Sequence, residues 1–330
     1  MEFVVLIIVL MLRSLLGLLP GRRHDRWFLS LKCWAGKLFK PSAPHLYDPD
    51  DTEQMESPEA SPGIKPSRWF AGTGAFVVSV VLPVASLSIL MAVLDDVIWG
   101  LPAFAVSILV LLYSLGRKES AYWLTRFQIA WRQKDLQGAY QYAAEVLPEE
   151  TIKDEKQLYQ RVFSRLVGIS FQDFFLVTFW FMLLGAEGAL LARLMILFCE
   201  KTPEEGGQSA SATTVLAKGV NKIRSVQYLL EWLPAKLMGL SFMLTGHFVH
   251  CSQQWLTCLF NQKLSHEILL TRFALGALGE KVEDSAKEVL QAAQDNAHKD
   301  EQLQELEALL RRSSVLWVIA IAVAVVLMRL

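Results

Sequence analysis

A chain of 330 residues with 53% hydrophobic and 20% charged residues is short of charge for a soluble protein, where about 25% is usual, and its mean hydropathy is +0.32. A net charge of −1 and a pI near 6.6 exclude a global basic field for nucleic acid. Four scattered cysteines, Cys33, Cys199, Cys251 and Cys258, exclude a disulfide-built scaffold.

The apolar residues collect in runs, and a helix needs roughly 20 of them to cross a bilayer. Residues 1–40 read as an N-terminal hydrophobic anchor and a basic segment. Glu2 stands where a secretory signal carries positive charge, and Pro20-Gly21-Arg22-Arg23 stands where it would be cleaved, so the expectation is an uncleaved anchor. Arg13 interrupts its apolar run. Residues 41–67 are rich in Pro, Ser, Asp and Glu and read as an acidic disordered linker. Residues 68–118 hold two uncharged runs, 71–94 and 98–115, separated by Asp95, Asp96 and Val97. So short a turn predicts a tight transmembrane hairpin. Basic residues before it, and Arg117 and Lys118 after it, place both its ends in the cytoplasm.

Residues 119–166 read as an amphipathic cytoplasmic helical pair. Trp123, Phe127, Ala130 and Trp131 make one stripe, and Leu136, Tyr140, Ala143 and Leu147 make another. Residues 167–280 form a membrane-embedded core. In it, run 171–198 is interrupted by Asp173, Glu187 and Arg193, with Gly185-Ala186-Glu187-Gly188 as a candidate break. It either crosses once or dips in and returns, and Asp173 and Arg193 can pair in the second case. Run 233–249, interrupted by Lys236, is an interfacial helix or a further span. Residues 281–312 read as a polar helix with a Leu303, Leu306, Leu309, Leu310 stripe. Residues 313–330 read as a C-terminal span, short but extended by snorkelling arginines at both ends. No strand-like alternation of useful length occurs. The fold class is all-α, a polytopic integral membrane protein with amphipathic cytoplasmic helices.

Motifs for common chemistries are missing from the sequence. There is no G-x-x-x-x-G-K-[ST], no G-x-S-x-G, no H-E-x-x-H and no C-x-x-C. His247, His250 and Cys251 fall at i, i+3 and i+4, where one helix face could present soft ligands to zinc or copper. A closed site needs a fourth ligand, so no metal and no cofactor is assigned. Charges sunk in apolar runs are better leads, because they are costly in lipid and turn to protein or water. They select Asp173, Arg193, Glu231, Trp232, Lys236 and His247 as candidate ligand or switch residues. Interhelical pairing without a ligand is the plainer reading of the same charges.

Several short motifs carry a family likeness. Ile169-Ser170-Phe171-Gln172-Asp173, Phe179-Trp180 and Gly185-Ala186-Glu187-Gly188, followed by Glu231-Trp232-Leu233-Pro234-Ala235-Lys236-Leu237-Met238-Gly239, resemble the central segment of AmpE proteins. Gly246-His247, Trp255 and Leu270-Thr271-Arg272 fit the same order. The resemblance implies a bacterial inner-membrane, multi-pass regulatory protein, tied to cell-wall stress and β-lactamase induction. Such a protein would act by binding a small molecule or a membrane or cytoplasmic partner, within the lipid bilayer and without nucleic acid. AmpE proteins are similar in turn to the CobD/CbiB adenosylcobinamide-phosphate synthases, which implies an alternative, a divergent ATP-dependent amide-forming enzyme. The synthases' acidic signature is replaced here by Gly168, Ile169 and Gln172, and by 196–199 further on. Asp173 is displaced by one position, which turns it about 100° around a helix. Magnesium chemistry needs those carboxylates, so the reading favours binding over catalysis.

Overall fold

The computed structural model describes residues 2–16, 26–38, 74–95, 100–115, 119–144, 146–147, 155–199, 210–249, 251–252, 255, 265–279 and 299–327. The linker 41–67, His250, Cys258 and most of the polar segment 281–312 before Lys299 lie outside them. Among the described residues every regular element is helical. In chain order they are α1 (Glu2–Leu16), α2 (Arg26–Leu38), α3 (Gly74–Asp95), α4 (Leu101–Ser114), α5 (Glu119–Arg132) and α6 (Leu136–Ala144). Then come α7 (Glu155–Ser170), a π turn (Phe171–Leu176), α8 (Val177–Cys199), α9 (Ala210–Thr245), α10 (His266–Ala277) and α11 (Lys299–Leu327).

Three helical stretches are long and apolar enough to cross a membrane: Gly74–Asp95, Gln157–Cys199 and Gln302–Leu327. The last resolves the shortness expected of the C-terminal run. Its helix begins well before Arg311 and Arg312, burying the stripe Leu303, Leu306, Leu309 and Leu310 on the way. Large apolar side chains stay exposed along it, among them Val315, Ile319, Val323 and Val326. Such a surface suits acyl chains and not water.

The chain divides into two compact units, one of Met1–Gly21, Ile89–Arg193 and Tyr228–Leu330, the other of Arg22–Ser88 and Leu194–Gln227. In the second unit, α2 packs on the π turn Val77–Val81 of α3. That turn precedes Pro83, which has no N–H to give, and the Leu82 N–H reaches back to Val77 O. Phe76 meets Phe198 edge-on at 5.5 Å, and Lys32 Nζ sits 5.4 Å above the same Phe198 ring.

In the first unit, the principal partner of α4 is α1. From Leu82 to Asp95 only Leu87 is buried, so α3 turns its apolar surface outward. Helix α1, in contrast, buries Val5, Leu6 and Val9, and α4 buries Ala103, Leu111 and Ser114. Helix α4 also covers about 21 Å at 1.5 Å per residue, less than the roughly 30 Å hydrocarbon core.

Helices α5 and α6 pack on each other. Lys134 takes a left-handed φ of 57°, and the Asp135 carboxylate caps α6 by accepting from Gly138 N–H at 3.0 Å. The first stripe is buried through Trp123, Phe127 and Ala130, and Trp131 stacks on Phe127 at 5.5 Å. The second is shifted: Ala139 and Ala143 face inward while Leu136 is exposed. Small residues let α6 lie close to α5, and the larger Leu136 is left on the outside.

Candidate functional site

Two glycines reverse the chain within Gln157–Cys199. Gly185 adopts φ 67°, ψ −150°, a conformation open to glycine and closed to residues with a Cβ. A Cβ on Gly188 would strike the Trp180 carbonyl and lie 2.7 Å from Leu184 Cβ. The two arms of α8 therefore touch through a glycine backbone. The reversal brings together the two opposite charges that interrupt this run. Asp173 and Arg193 would stand about 30 Å apart on a straight helix, yet Arg193 Nη1 donates to Asp173 Oδ1 at 3.3 Å. The stretch folds back on itself.

Asp173 lies in the π turn between α7 and α8. Such a turn inserts one extra residue and re-aims the side chains around it. Ser164 and Thr271 hydroxyls share a buried 2.8 Å hydrogen bond between α7 and α10, and Tyr159 Oη donates to Gln302 Oε1 at 3.2 Å between α7 and α11. Helix α7 is thus held by polar contacts on its way into the π turn. Phe175 and Phe179 then meet the Trp317 ring of α11, whose Nε1 donates to Ser241 Oγ of α9 at 2.6 Å.

Glu231, Trp232 and Lys236 lie on α9, with Glu231 and Lys236 buried and Trp232 half-buried. Pro234 sits inside this helix and withholds the N–H that Leu230 O would accept four residues back. The hairpin supplies the substitute: Trp180 Nε1 donates to Leu230 O at 3.2 Å. Trp180→Phe is expected to leave that carbonyl unsatisfied and to cost about 1–2 kcal/mol, read by denaturant unfolding in detergent. Adding Pro234→Ala restores a backbone donor and should recover part of the loss; no recovery would show that Trp180 acts by bulk alone.

Around Lys236 the packing is close. Trp255 Nε1 donates to Lys236 O at 3.1 Å, and Gly239 lets the Phe273 ring of α10 approach, since a Cβ there would lie 2.5 Å from it. His266, at the start of α10, stacks on Tyr228 at 4.1 Å, and its Nε2 lies 2.9 Å from Tyr228 O. Its Nδ1 is buried with no hydrogen-bond partner. Burial holds the imidazole below its usual pKa; the Tyr228 carbonyl opposes this and the Lys236 charge adds to it.

His247 stands apart from these groups, exposed beyond the end of α9, with its backbone N–H on Ala277 O at 2.8 Å and its ring against Gly279. Cys251 is buried and faces the carbonyls of Gly239 and Phe273 at 3.9 and 3.7 Å. Among the described residues no group of three or more His, Cys, Asp or Glu side chains could hold a metal. Burial pushes the Cys251 thiol up to about 11. At pH 8 on the order of one thiol in a thousand is then thiolate, the form that reacts. Maleimide at pH 8 should label exposed Cys33 while sparing Cys251, with Cys251 reacting faster toward pH 11; mass spectrometry of the labelled peptides reads both.

The sequence reading missed three residues. Arg13 of α1 lies within electrostatic reach of Asp173; its place in an apolar run was the available signal. His266 and Arg272 are both buried on α10; His266 gave no signal, because it interrupts no long apolar run, and Arg272 had only its place in a family motif.

The family model described as regulatory signalling modulator protein AmpE matches residues 71–323. No curated protein and no solved structure matches the chain.

Proposed function

We propose a mode of action for this chain, which belongs to the AmpE family of regulatory signalling modulator proteins. Its role is regulatory. It works in the bacterial inner membrane as a multi-pass protein and modulates the response to cell-wall stress, including β-lactamase induction. It does so by binding a ligand or a protein partner, without catalysis.

One observation carries this reading: the Asp173–Arg193 ion pair joins the two arms of a re-entrant hairpin among apolar helices. A ligand or partner that competes for the pair acts on the hairpin directly. The first arm is continuous with α7, and α7 packs on both α5 and α6. A shift of the arm therefore moves the surface of the α5–α6 pair. Binding biases one arrangement over another by its differential affinity for the two.

The test is genetic. Strains lacking the gene, and strains carrying Asp173→Asn, are compared with the parent for β-lactamase induction over a range of β-lactam concentrations. A displaced induction curve in both supports the reading. A curve unchanged by deletion removes β-lactamase induction from the response.

A further inference from the structure

Helix α2 covers about 20 Å at 1.5 Å per residue, too little to cross a bilayer, and it lies where two longer apolar stretches end. It packs on Val77–Val81, in the opening turns of Gly74–Asp95. Its Lys32 Nζ stands 5.4 Å over the ring of Phe198, next to the close of Gln157–Cys199. Phe198 in turn meets Phe76, near the start of Gly74–Asp95, at 5.5 Å. The start of one apolar stretch and the close of another are thus brought to one level, and α2 is packed at that level.

The faces of α2 differ. Phe28 and Ala35 are buried. Trp27, Trp34 and Leu38 recur at i, i+7 and i+11, within about 40° of one another around a helix and about a quarter-turn from the buried pair. They are 45%, 55% and 60% exposed. By position on the same helix, Arg26 and Lys37 fall a further quarter-turn round, opposite Phe28 and Ala35. The surrounding segment, 21–40, carries Arg22, Arg23, Arg26, Lys32, Lys37 and Lys40 against Asp25. A short helix with an aromatic stripe and a basic flank lies in the plane of a membrane interface. Indoles settle at headgroup level there, and clustered Lys and Arg draw acidic lipid. A second copy of the chain fits this face poorly, because it would bring the same positive charge against it. We propose that the Trp27, Trp34 and Leu38 face of α2, with the basic residues around it, docks on acidic lipid headgroups at the bilayer surface. The indoles lie at headgroup depth, and the basic side chains meet the lipid phosphates.

The experiment uses the full chain in nanodiscs of phosphatidylcholine and phosphatidylglycerol in equal parts. One set carries bromine on the phosphatidylcholine and the other on the phosphatidylglycerol, near the glycerol end of the acyl chains, where it quenches indoles at interface depth. The difference in fluorescence between wild type and Trp34→Phe isolates the Trp34 indole. The expected result is quenching of Trp34 by both lipids, about twofold or more stronger from phosphatidylglycerol. The preference should vanish in about 1 M salt, where the screening length falls to about 3 Å. It should vanish also in a variant combining Arg22→Gln, Arg23→Gln, Arg26→Gln and Lys37→Gln. Quenching by phosphatidylcholine should survive both changes, because burial of the apolar stripe does not depend on charge. Equal quenching of wild type by the two lipids overturns the proposal. A preference that persists in high salt overturns it as well, whether or not the charge variant folds. Absence of quenching by either lipid places the face against protein and overturns the docking outright. None of these outcomes bears on the Asp173–Arg193 hairpin, which the induction curves test separately.

Discussion

Asp173→Ala is expected to destabilise the protein by about 3 kcal/mol, the lower end for breaking a buried pair. The lower end applies because Arg193 and Asp173 remain 14% and 20% exposed. The loss comes less from the missing bond than from what stays behind. Arg193 keeps its place on the second arm without the carboxylate at 3.3 Å, and Arg13 loses a charge to which it is coupled. A double variant, Asp173→Ala with Arg193→Leu, removes one of the two cations that lose this carboxylate and should regain part of the loss. Unfolding by graded denaturant in detergent, read by tryptophan fluorescence, gives all three values. Equal stability of wild type and Asp173→Ala would mean that water reaches the pair freely and that the hairpin is held by packing alone.

Much of this arrangement is written in the sequence as conflict. Asp173 and Arg193 stand in a run otherwise fit for lipid, and a charge there calls for a partner. Gly185 and Gly188 mark where the run can turn. Those two signals together suffice for a pair across a reversal. The family match over 71–323 contains every residue of the hairpin. What the sequence hides is long-range choice. Arg13 looks like the end of an anchor, and nothing in its neighbourhood names a partner in the π turn. Helix α4 packs on α1, and hydropathy records only that both are apolar. His266 is opaque for another reason. A single histidine at a helix start reads alike whether it faces solvent or, as here, a Tyr228 ring. Period alone places Leu136 inward. The stripe through Ala139 has the same period and less bulk, and close helix approach prefers it.

Gly188→Ala should cost more than a methyl group ordinarily can. The added Cβ would collide with the Trp180 carbonyl and with Leu184 Cβ at 2.7 Å, and neither is the far end of a flexible side chain. Backbone on one arm has to move, and the arms are tied by the Asp173–Arg193 pair further down. Overpacking of a rigid site costs about 1–3 kcal/mol, occasionally more, and here the upper part of that range is expected. Gly168 supplies the control. It lies in α7, one turn before the hairpin, and a Cβ there meets nothing within 4 Å. Gly168→Ala should stabilise by about 0.5–1 kcal/mol through helix propensity and a less flexible unfolded chain. The two substitutions are chemically identical and lie in the same helical stretch, so their opposite signs would isolate the reversal itself. If Gly188→Ala instead stabilises like Gly168→Ala, the arms are not in contact at Trp180. The chain would then run on as one tilted span, and Asp173 and Arg193 would need partners from other helices.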